Sequence, residues 1–316
     1  MFRKHKYVWA VYKEKSFTKA AEKLFISQPS LSAAIKNLEK ELGAPLFDRL
    51  GAEATLTEIG REYIVAAEKI MRIEKEFDER VNDLRCLGTG AVRVGGASYL
   101  SSYVLPKIIK KFVMRYPRIK VSFVEADSNH LSAMLERGEI DIIVDSFDDT
   151  MDMYEGYPLT REHIFLCVPK SNPINRELQA YCIHPQDIYE GRVDASQVPC
   201  VPIEKFRNER FVLLKTGNDM CYRAEQLLAT AGIEPTVSFR VDQLNTSRAL
   251  AETGMGCAFV TDTLFRFWQG GDNLLLYNIV GDNLHRTLYV VHKKHRYRTN
   301  AMAQFMLAAQ EIFENP

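Results

Sequence analysis

Small polar side chains occupy the start of a predicted helix near the N-terminus of this 316-residue chain. Gln28 can form paired hydrogen bonds with the edge of an adenine, and Ser30 can contact a base or a phosphate. Ser32 and Lys36 follow about one and two turns later, where they suit contacts to the DNA backbone. This spacing predicts a DNA-contacting surface with the following candidates: Thr18, Ser27, Gln28, Pro29, Ser30, Ser32, Lys36 and Arg49.

Three short helices are expected to position that surface. The first is predicted over about 6–13, the second begins behind Thr18 as its N-cap, and the third begins at Ser27 or Gln28. Pro29 falls in the first turn of the third helix, where its missing N–H costs nothing. Apolar residues at helical spacing in the third helix should face a core: Leu31, Ile35, Leu38 and Leu42. Two helices joined by a tight turn predict a helix-turn-helix.

A two-stranded wing and a long helix follow in the sequence. The wing is predicted over 45–57, and Thr57 should cap a helix that runs to about Leu87, roughly 45 Å in length. Apolar residues recur every seven positions along this helix and predict a coiled-coil dimer seam of Tyr63, Ile70, Phe77 and Leu84. The alternative, in which this side packs on its own domain, stays open.

Short apolar strands alternate with helices from about residue 91 onward, and a second such series follows. Repeated βα units predict two α/β lobes. Hydroxyl and amide side chains come directly after several strands, where helix N-termini converge and a small anion such as a carboxylate can bind. The candidate ligand residues are Ser98, Tyr99, Ser101, Ser128, Asn129, Ser146, Thr216, Asn218 and Asn245. For each of them, ordinary helix capping is the competing interpretation.

Four sequence pieces together resemble the LysR-type transcriptional regulators. They are FTKAAEKL from Phe17, SQPSLSAAIKNLEKELG from Ser27, PLFDR from Pro45 and LTEIG from Leu56. Weaker matches follow at Gly138 and in the segment 251–258. The resemblance implies an α-rich winged helix-turn-helix over 1–60, a dimerising linker helix over 58–88 and an α/β effector-binding domain over 91–316, similar to periplasmic binding proteins.

The same resemblance implies how the chain works. The first lobe would comprise about 91–163 and 268–316, and the second about 164–267. A homodimer or homotetramer would bind an interrupted palindrome in double-stranded DNA, and a small, anionic metabolite between the lobes would regulate it. The family often has a basic or amide side chain where this chain has Ala33 and Ala34, and basic wing residues near Glu53. Arg49 is therefore expected to be the main wing contact.

Composition narrows the class of protein further. The formal net charge is zero, which argues against non-specific coating of nucleic acid. There is no apolar stretch long enough for a membrane span and no secretory leader, so a cytoplasmic location is expected. The six cysteines are scattered without a Cys-x-x-Cys pair, so neither a zinc site nor another cofactor is expected.

Three alternatives remain open at this level. An enzyme on the α/β lobes is not expected, because the sequence has no nucleophile elbow, phosphate-binding loop or metal signature. A thiol-sensing regulator would use Cys182 and Cys200, which lie in a segment longer than the family usually has. A regulator without any ligand would have a well-filled cleft between its lobes.

Overall fold

The computed structural model describes residues 4–48, 53–85, 90–97, 99–147, 151–194, 197–281 and 283–314, with side chains undescribed at 82, 84, 85 and 151. The chain forms two compact units, Met1–Arg85 and Cys86–Pro316. We call the first unit the head and the second the body. None of the described helices is both long and apolar enough to cross a membrane.

The described residues of the head form four helices and a two-stranded wing. Its elements are α1 (His5–Glu14), α2 (Phe17–Lys23), α3 (Gln28–Leu42), β1 (Phe47–Asp48), β2 (Thr55–Leu56) and α4 (Glu58–Arg85). The two strands are antiparallel, with Phe47 opposite Leu56. The predicted winged helix-turn-helix and the long helix behind it are confirmed.

Side-chain caps fix where the helices of the head begin. The predicted cap of α2 at Thr18 is wrong, because the Ser16 hydroxyl accepts the Lys19 N–H and Thr18 lies exposed within the first turn. Ser27 caps α3, with Pro29 in its first turn. The Thr57 hydroxyl accepts the Gly60 N–H at 2.9 Å, which confirms the predicted cap of α4.

The core of the head explains part of the apolar pattern along α4. Tyr63 is 5% exposed and packs with Ile64 and Ala67 into the core formed by the other helices. The prediction that Tyr63 belongs to a dimer seam is therefore wrong, because its ring is already buried within its own unit. Ile70 is half-buried. Farther along, Ile73 and Phe77 are each 65% exposed.

A close backbone approach explains the glycine in the LTEIG piece. A Cβ at Gly60 would lie 2.1 Å from the Leu46 carbonyl oxygen. We expect Gly60→Ala to lower the free energy of unfolding of the head by about 2 kcal/mol, because backbone must move to admit the methyl group. Thermal unfolding of the full chain measures this effect. Glu62→Ala, on the exposed side of the same helix, is the control and should change stability by less than about 0.5 kcal/mol.

The body is built on two sheets. The first lobe contains β3 (Gly90–Gly96), β4 (Ile119–Glu125), β5 (Ile142–Ser146), the first half of β6 (Tyr154–Pro169) and β13 (His285–Lys293), in the order β6-β13-β5-β3-β4. A π-helical turn, Leu100–Val104, precedes α5 (Leu105–Arg115), and α6 (Ser128–Arg137) and α12 (Asn300–Glu314) complete this lobe.

The second lobe uses the other half of β6. Its strands are β7 (Cys182–Ile183), β8 (Cys200–Val201), β9 (Arg210–Leu214), β10 (Thr236–Val241), β11 (Cys257–Thr261) and β12 (Leu274–Ile279). Its helices are α7 (Ile174–Glu177), α8 (Pro185–Tyr189), α9 (Asp219–Thr230), α10 (Leu244–Glu252) and α11 (Asp262–Phe267). The predicted first-lobe range of 268–316 needs correction, because β12 pairs with residues 165–169 of β6.

One long strand, β6, runs through the sheets of both lobes. Its pairing with β13 ends where His163 lies opposite His285, and its pairing with β11 begins at Ile164. Residues 162–169 are all buried, so this part of β6 is central to the second sheet. The sheets therefore meet at Glu162 and His163, and side chains at this position are close to both lobes.

Candidate functional site

The start of α3 presents the predicted DNA-contacting residues. Gln28, Pro29, Ser30 and Lys36 are exposed, and Ser32 is half-buried. The Gln28 amide donates to the Ser32 hydroxyl at 2.9 Å. Because this contact holds the Gln28 side chain along the helix, it restricts the rotamers from which the amide can reach a base edge.

A second hydrogen bond orders the turn before α3. The hydroxyls of Ser27 and Ser30 lie 2.8 Å apart, and the Ser27 hydroxyl also accepts the Ser30 N–H at 3.3 Å. Ser27 is thus held as the cap while remaining exposed. These residues form one polar, solvent-facing patch at the N-terminus of α3, where the positive end of the helix dipole lies.

The wing is attached to the end of α1. The Ala54 N–H donates to the Lys15 carbonyl at 3.0 Å, and the Lys15 ammonium lies 3.5 Å from the Glu53 carboxylate. This pair reduces the negative field that Glu53 would otherwise place beside DNA. Arg49, the predicted main wing contact, lies outside the described residues.

A cavity of about 590 Å³ lies between the two lobes of the body. Of the predicted ligand residues, six line it: Tyr99, Ser128, Asn129, Ser146, Thr216 and Asn218. Its other lining residues include Asp127, His130, Asp145, Lys215, Asp219, Asp242, Gln243 and Arg286. We call it the inter-lobe cavity. Its volume argues against a well-filled cleft and so against a regulator that needs no ligand.

Two of the described ligand candidates, Ser101 and Asn245, are not among the residues that line the cavity. Ser98 lies outside the described residues. Ser101 is buried, and its hydroxyl donates to the carbonyl of Gly96 at 2.6 Å. It therefore satisfies the last carbonyl of β3 and does not face the cavity. The Asn245 amide instead donates to the Ser102 hydroxyl at 3.3 Å and links α10 to the first lobe.

A buried ion pair forms the inner wall of the cavity. Arg286 Nε donates to Glu162 at 2.6 Å, and the Glu162 side chain is fully buried. The Tyr99 hydroxyl donates to the other oxygen of Glu162. Burial raises the pKa of Tyr99 well above its ordinary value, with the negative charge of Glu162 adding to the effect. Tyr99 is therefore a neutral hydrogen-bond donor here.

Arg286 also contacts both lobes. Its Nη1 donates to the Ser146 hydroxyl at 3.3 Å in the first lobe and lies 3.6 Å from the Asp219 carboxylate in the second. Burial by itself would lower the pKa of Arg286, but the nearby carboxylates, Glu162 above all, raise it. A permanent positive charge at this position can couple a ligand in the cavity to the relative placement of the lobes.

Asp145 is a buried carboxylate on the first-lobe wall. It is 5% exposed and accepts hydrogen bonds from the Ser128 hydroxyl at 2.6 Å and the Ser146 N–H at 2.8 Å. Burial raises its pKa, and this effect exceeds the opposing effects of Ser128 and Arg286.

The rim of the cavity carries exposed ion pairs. Lys215 lies 2.8 Å from Asp242, and His130 lies 2.5 Å from Asp127. The Asp127 carboxylate caps α6 by accepting the His130 N–H, and this hydrogen bond is the main reason that the pKa of Asp127 is lowered. Both pairs are solvated, so each contributes little to stability.

The charged residues of the cavity were not among the ligand candidates predicted from sequence patterns. One available signal was Asp145, an acid at the end of the apolar run Ile142–Val144, where a parallel strand opens toward a ligand site. Arg286 and Glu162 had no such signal, because they meet only through the pairing of β6 with β13 across 124 residues of sequence.

Neutral and acidic groups meet at the junction of the two lobes. His163 lies 2.7 Å from the Asn278 side-chain oxygen, and its Nδ1 is 3.2 Å from Nδ1 of His285. Burial lowers the pKa of both histidines. The backbone N–H of His163 donates to the Asp262 carboxylate, which also pairs with Arg266 at 2.7 Å. Burial raises the pKa of Asp262 to about 6.

This raised pKa predicts a pH-dependent contribution to stability. Folded Asp262 holds its proton up to about pH 6, whereas an unfolded aspartate loses its proton near about pH 4. The folded state therefore binds more protons in this window, and the contribution of Asp262 to stability falls as the pH rises through it. The difference in free energy of unfolding between Asp262→Asn and the wild type should therefore shift by about 3 kcal/mol in favour of the variant between about pH 4 and pH 7. Urea unfolding of both proteins across this range measures the difference, and parallel pH profiles would contradict the prediction.

The register of the second sheet separates the two cysteines of the redox alternative. Cys182 lies opposite Tyr277 and Cys200 opposite Asn278, on the same edge of β12. Consecutive residues of a strand point to opposite faces of the sheet, so these two thiols lie on opposite faces. A disulfide would require the short edge strands to rearrange, and this geometry gives the redox alternative no specific support.

The described residues contain no group of three or more His, Cys, Asp or Glu side chains that could hold a metal ion. What the body offers instead is a polar cavity with hydrogen-bond donors, carboxylates and one buried guanidinium. Such a set of groups can bind a small polar molecule.

Comparison with known protein families matches both units. Residues 2–61 match the model for the bacterial regulatory helix-turn-helix protein, lysR family, and residues 87–190 and 193–314 match the LysR substrate binding domain. The HTH-type transcriptional regulator YcgK of Bacillus subtilis (strain 168) is 34% identical over 308 residues, covering 96% of this chain and 92% of that protein. A probable RuBisCO transcriptional regulator of Trichormus variabilis is 28% identical, with 96% and 85% covered.

Solved structures show the same fold. Full-length CbnR complexed with its target DNA is 21% identical, with a TM-score of 0.61 and coverage of 98% of this chain and 99% of that one. A full-length OxyR variant from Pseudomonas aeruginosa is 19% identical, with a TM-score of 0.66 and coverage of 98% and 97%. Two family models that together span nearly the whole chain are decisive: the chain belongs to the lysR family of transcriptional regulators and, as its sequence predicted, is a DNA-binding regulator rather than an enzyme.

Proposed function

We propose that this regulator reads an interrupted palindrome in double-stranded DNA through the start of α3 and responds to a small polar effector in the inter-lobe cavity. Regulators of this family bind DNA and small-molecule effectors and form oligomers. The exposed patch of Ser27, Gln28 and Ser30 at one helix end carries the DNA part of the proposal. A cytoplasmic location belongs to the same proposal, since the partner is DNA.

The cavity residues support a ligand-dependent response. Arg286 contacts Ser146 in the first lobe and Asp219 in the second. A ligand that binds between these lobes would favour one relative placement, and in an oligomer this would alter the spacing of the DNA-reading heads.

An anionic group of the effector, as expected from the sequence, would bind on the second-lobe side. Lys215, Thr216 and Asn218 line the cavity there. The adjacent helix α10 begins at Leu244, which lines the cavity, and the positive end of its dipole favours an anion there.

Selection of DNA sites from random-sequence duplexes tests the DNA-reading assignment. The selected sites should contain two related half-sites, because a two-fold symmetric oligomer reads symmetric DNA. Gel-shift titration with a selected site should then show a loss of about 100-fold or more in Gln28→Ala/Arg49→Ala, from one lost base contact and one lost groove or phosphate contact.

A charge-matched control is available on the same helix. Lys40→Ala removes one exposed positive charge from the last turn of α3 and should change affinity by less than about 3-fold. Unchanged binding by Gln28→Ala/Arg49→Ala would show that this surface does not read DNA.

A further inference from the structure

We propose that the effector carries a protonated amine and that Asp145 receives this group. The inference rests on the proposed function of the inter-lobe cavity as the effector site, and it adds the chemical class of the ligand. It differs from the expectation of an effector that is anionic only.

The first observation is the environment of Asp145 itself. A carboxylate offers about four acceptor positions, and the two hydrogen bonds to Asp145 come from neutral donors, the Ser128 hydroxyl and the Ser146 N–H. In the part of the chain that the structure describes, no Lys, Arg or His nitrogen forms a salt bridge with Asp145. Its carboxylate nevertheless lines the cavity and is 5% exposed.

The second observation is that the other charges at the cavity have closer partners. Arg286 is 2.6 Å from Glu162, and the Asp219 carboxylate accepts from Arg223 at 2.9 Å. At the rim, Lys215 pairs with Asp242 and His130 with Asp127. Asp145 is thus the lining carboxylate for which the described residues supply no direct counter-ion.

The balance of charge around the cavity also favours a cationic ligand. Its lining contains the carboxylates of Asp127, Asp145, Asp219 and Asp242, against the cations of Lys215 and Arg286. Even with His130 counted as a cation, the four carboxylates outnumber the three cations, and Arg286 already faces Glu162. The field inside the cavity therefore favours a ligand with positive charge and disfavours a dianion.

An ammonium group fits the free positions of Asp145. It has three donors and no acceptor, so it can bond the unfilled side of the carboxylate while its other N–H groups reach nearby oxygens such as the Ser146 hydroxyl. Pairing also offsets the cost of holding a carboxylate away from water. The same chemistry occurs in diamines and in amino acids, and in an amino acid the carboxylate would lie near Thr216.

Four compounds of similar length separate these sources: putrescine with two amines, γ-aminobutyrate with one amine and one carboxylate, succinate with two carboxylates, and butanediol with no charge. Calorimetric titration of the full chain gives the affinity for each. We expect at least one of the two amines to bind, and to bind more tightly than succinate and butanediol. Putrescine and γ-aminobutyrate then distinguish a diamine from an amino acid as the ligand class.

Two variants connect this selectivity to Asp145. Asp145→Asn keeps the size of the side chain and should weaken binding of the preferred amine by about 10- to 100-fold, the usual effect of losing one charged hydrogen bond. Glu234→Gln removes the same formal charge from an exposed position outside the cavity and should change affinity by less than about 3-fold. Circular dichroism and the melting temperature establish that both variants fold.

The outcomes separate this inference from the proposed function. Tightest binding of succinate would overturn the amine assignment, and if Lys215→Ala weakens that binding, the cavity remains the effector site. Equal amine affinities in wild type and Asp145→Asn, or no binding of either amine, would also overturn it. The selectivity of the wild-type chain decides the question even if Asp145→Asn does not fold.

Discussion

Replacement of Arg286 by leucine should lower the free energy of unfolding of the body by about 3–5 kcal/mol. The variant leaves the carboxylate of Glu162, which has no exposed side-chain surface, without the guanidinium that lies 2.6 Å away in the wild type. An uncompensated charge in a buried site costs more than the original pair contributes. Urea unfolding of the full chain, followed through near-ultraviolet circular dichroism, measures the loss.

Two further variants show that the effect comes from burial of the charge. Glu162→Gln/Arg286→Leu removes both charges and should recover a large part of the stability, so the two substitutions should be strongly non-additive. Arg115→Leu breaks an exposed pair with Glu311 at 3.0 Å and should change stability only slightly, because solvent screens such pairs. If Arg286→Leu were as mild as Arg115→Leu, the ion pair would not be a principal support of the body.

Substitution of the exposed apolar residues of α4 should separate the subunits of the oligomer. Ile73 and Phe77 are each 65% exposed on the part of the helix beyond the core of the head. Ile73→Lys/Phe77→Lys would place two charges in an apolar contact, and we expect the molecular mass in sedimentation equilibrium to fall by half. Affinity for a two-half-site DNA should fall about 1,000-fold, because the heads no longer bind as a linked pair.

The control keeps the charge change and moves it to polar positions. Glu68→Gln/Asp78→Asn raises the net charge by the same amount at two exposed sites of α4 and should leave mass and DNA affinity nearly unchanged. An unaltered mass in Ile73→Lys/Phe77→Lys would remove α4 as a subunit contact. Of the predicted seam, Phe77 stays a candidate, Ile70 is half-buried, Tyr63 belongs to the head core, and the side chain of Leu84 lies outside the described residues.

Much of the head could be predicted from the sequence because its signals are local. Ser27, Pro29 and the apolar spacing from Leu31 define α3 within one stretch of chain. The sequence predicts the N-cap of α2 two residues too late, because Ser16 and Thr18 are both good capping residues. The choice depends on where the chain turns, at Lys15 with a φ of 50°, and no residue type alone reveals that turn.

The cavity was only partly predictable. Tyr99, Ser128, Asn129, Ser146, Thr216 and Asn218 were expected there because they follow strands, and the structure brings these six together. Ser101 and Asn245 follow the same rule, but their side chains turn to the Gly96 carbonyl and to Ser102. Position after a strand thus identifies the right edge of the sheet and not the direction of each side chain.

The family, the helix-turn-helix and the two α/β lobes could be predicted from the amino-acid sequence, because they depend on caps, periodicity and motifs that operate over a few residues. The charge of the cavity depends on contacts that form only in the folded body. Glu162 and Arg286 are neighbours because β6 and β13 pair in one register, and Asp145 faces the cavity because β5 ends beside the start of α6. Such contacts join distant parts of the chain, so the electrostatics of the ligand site emerge only when the sheets have formed.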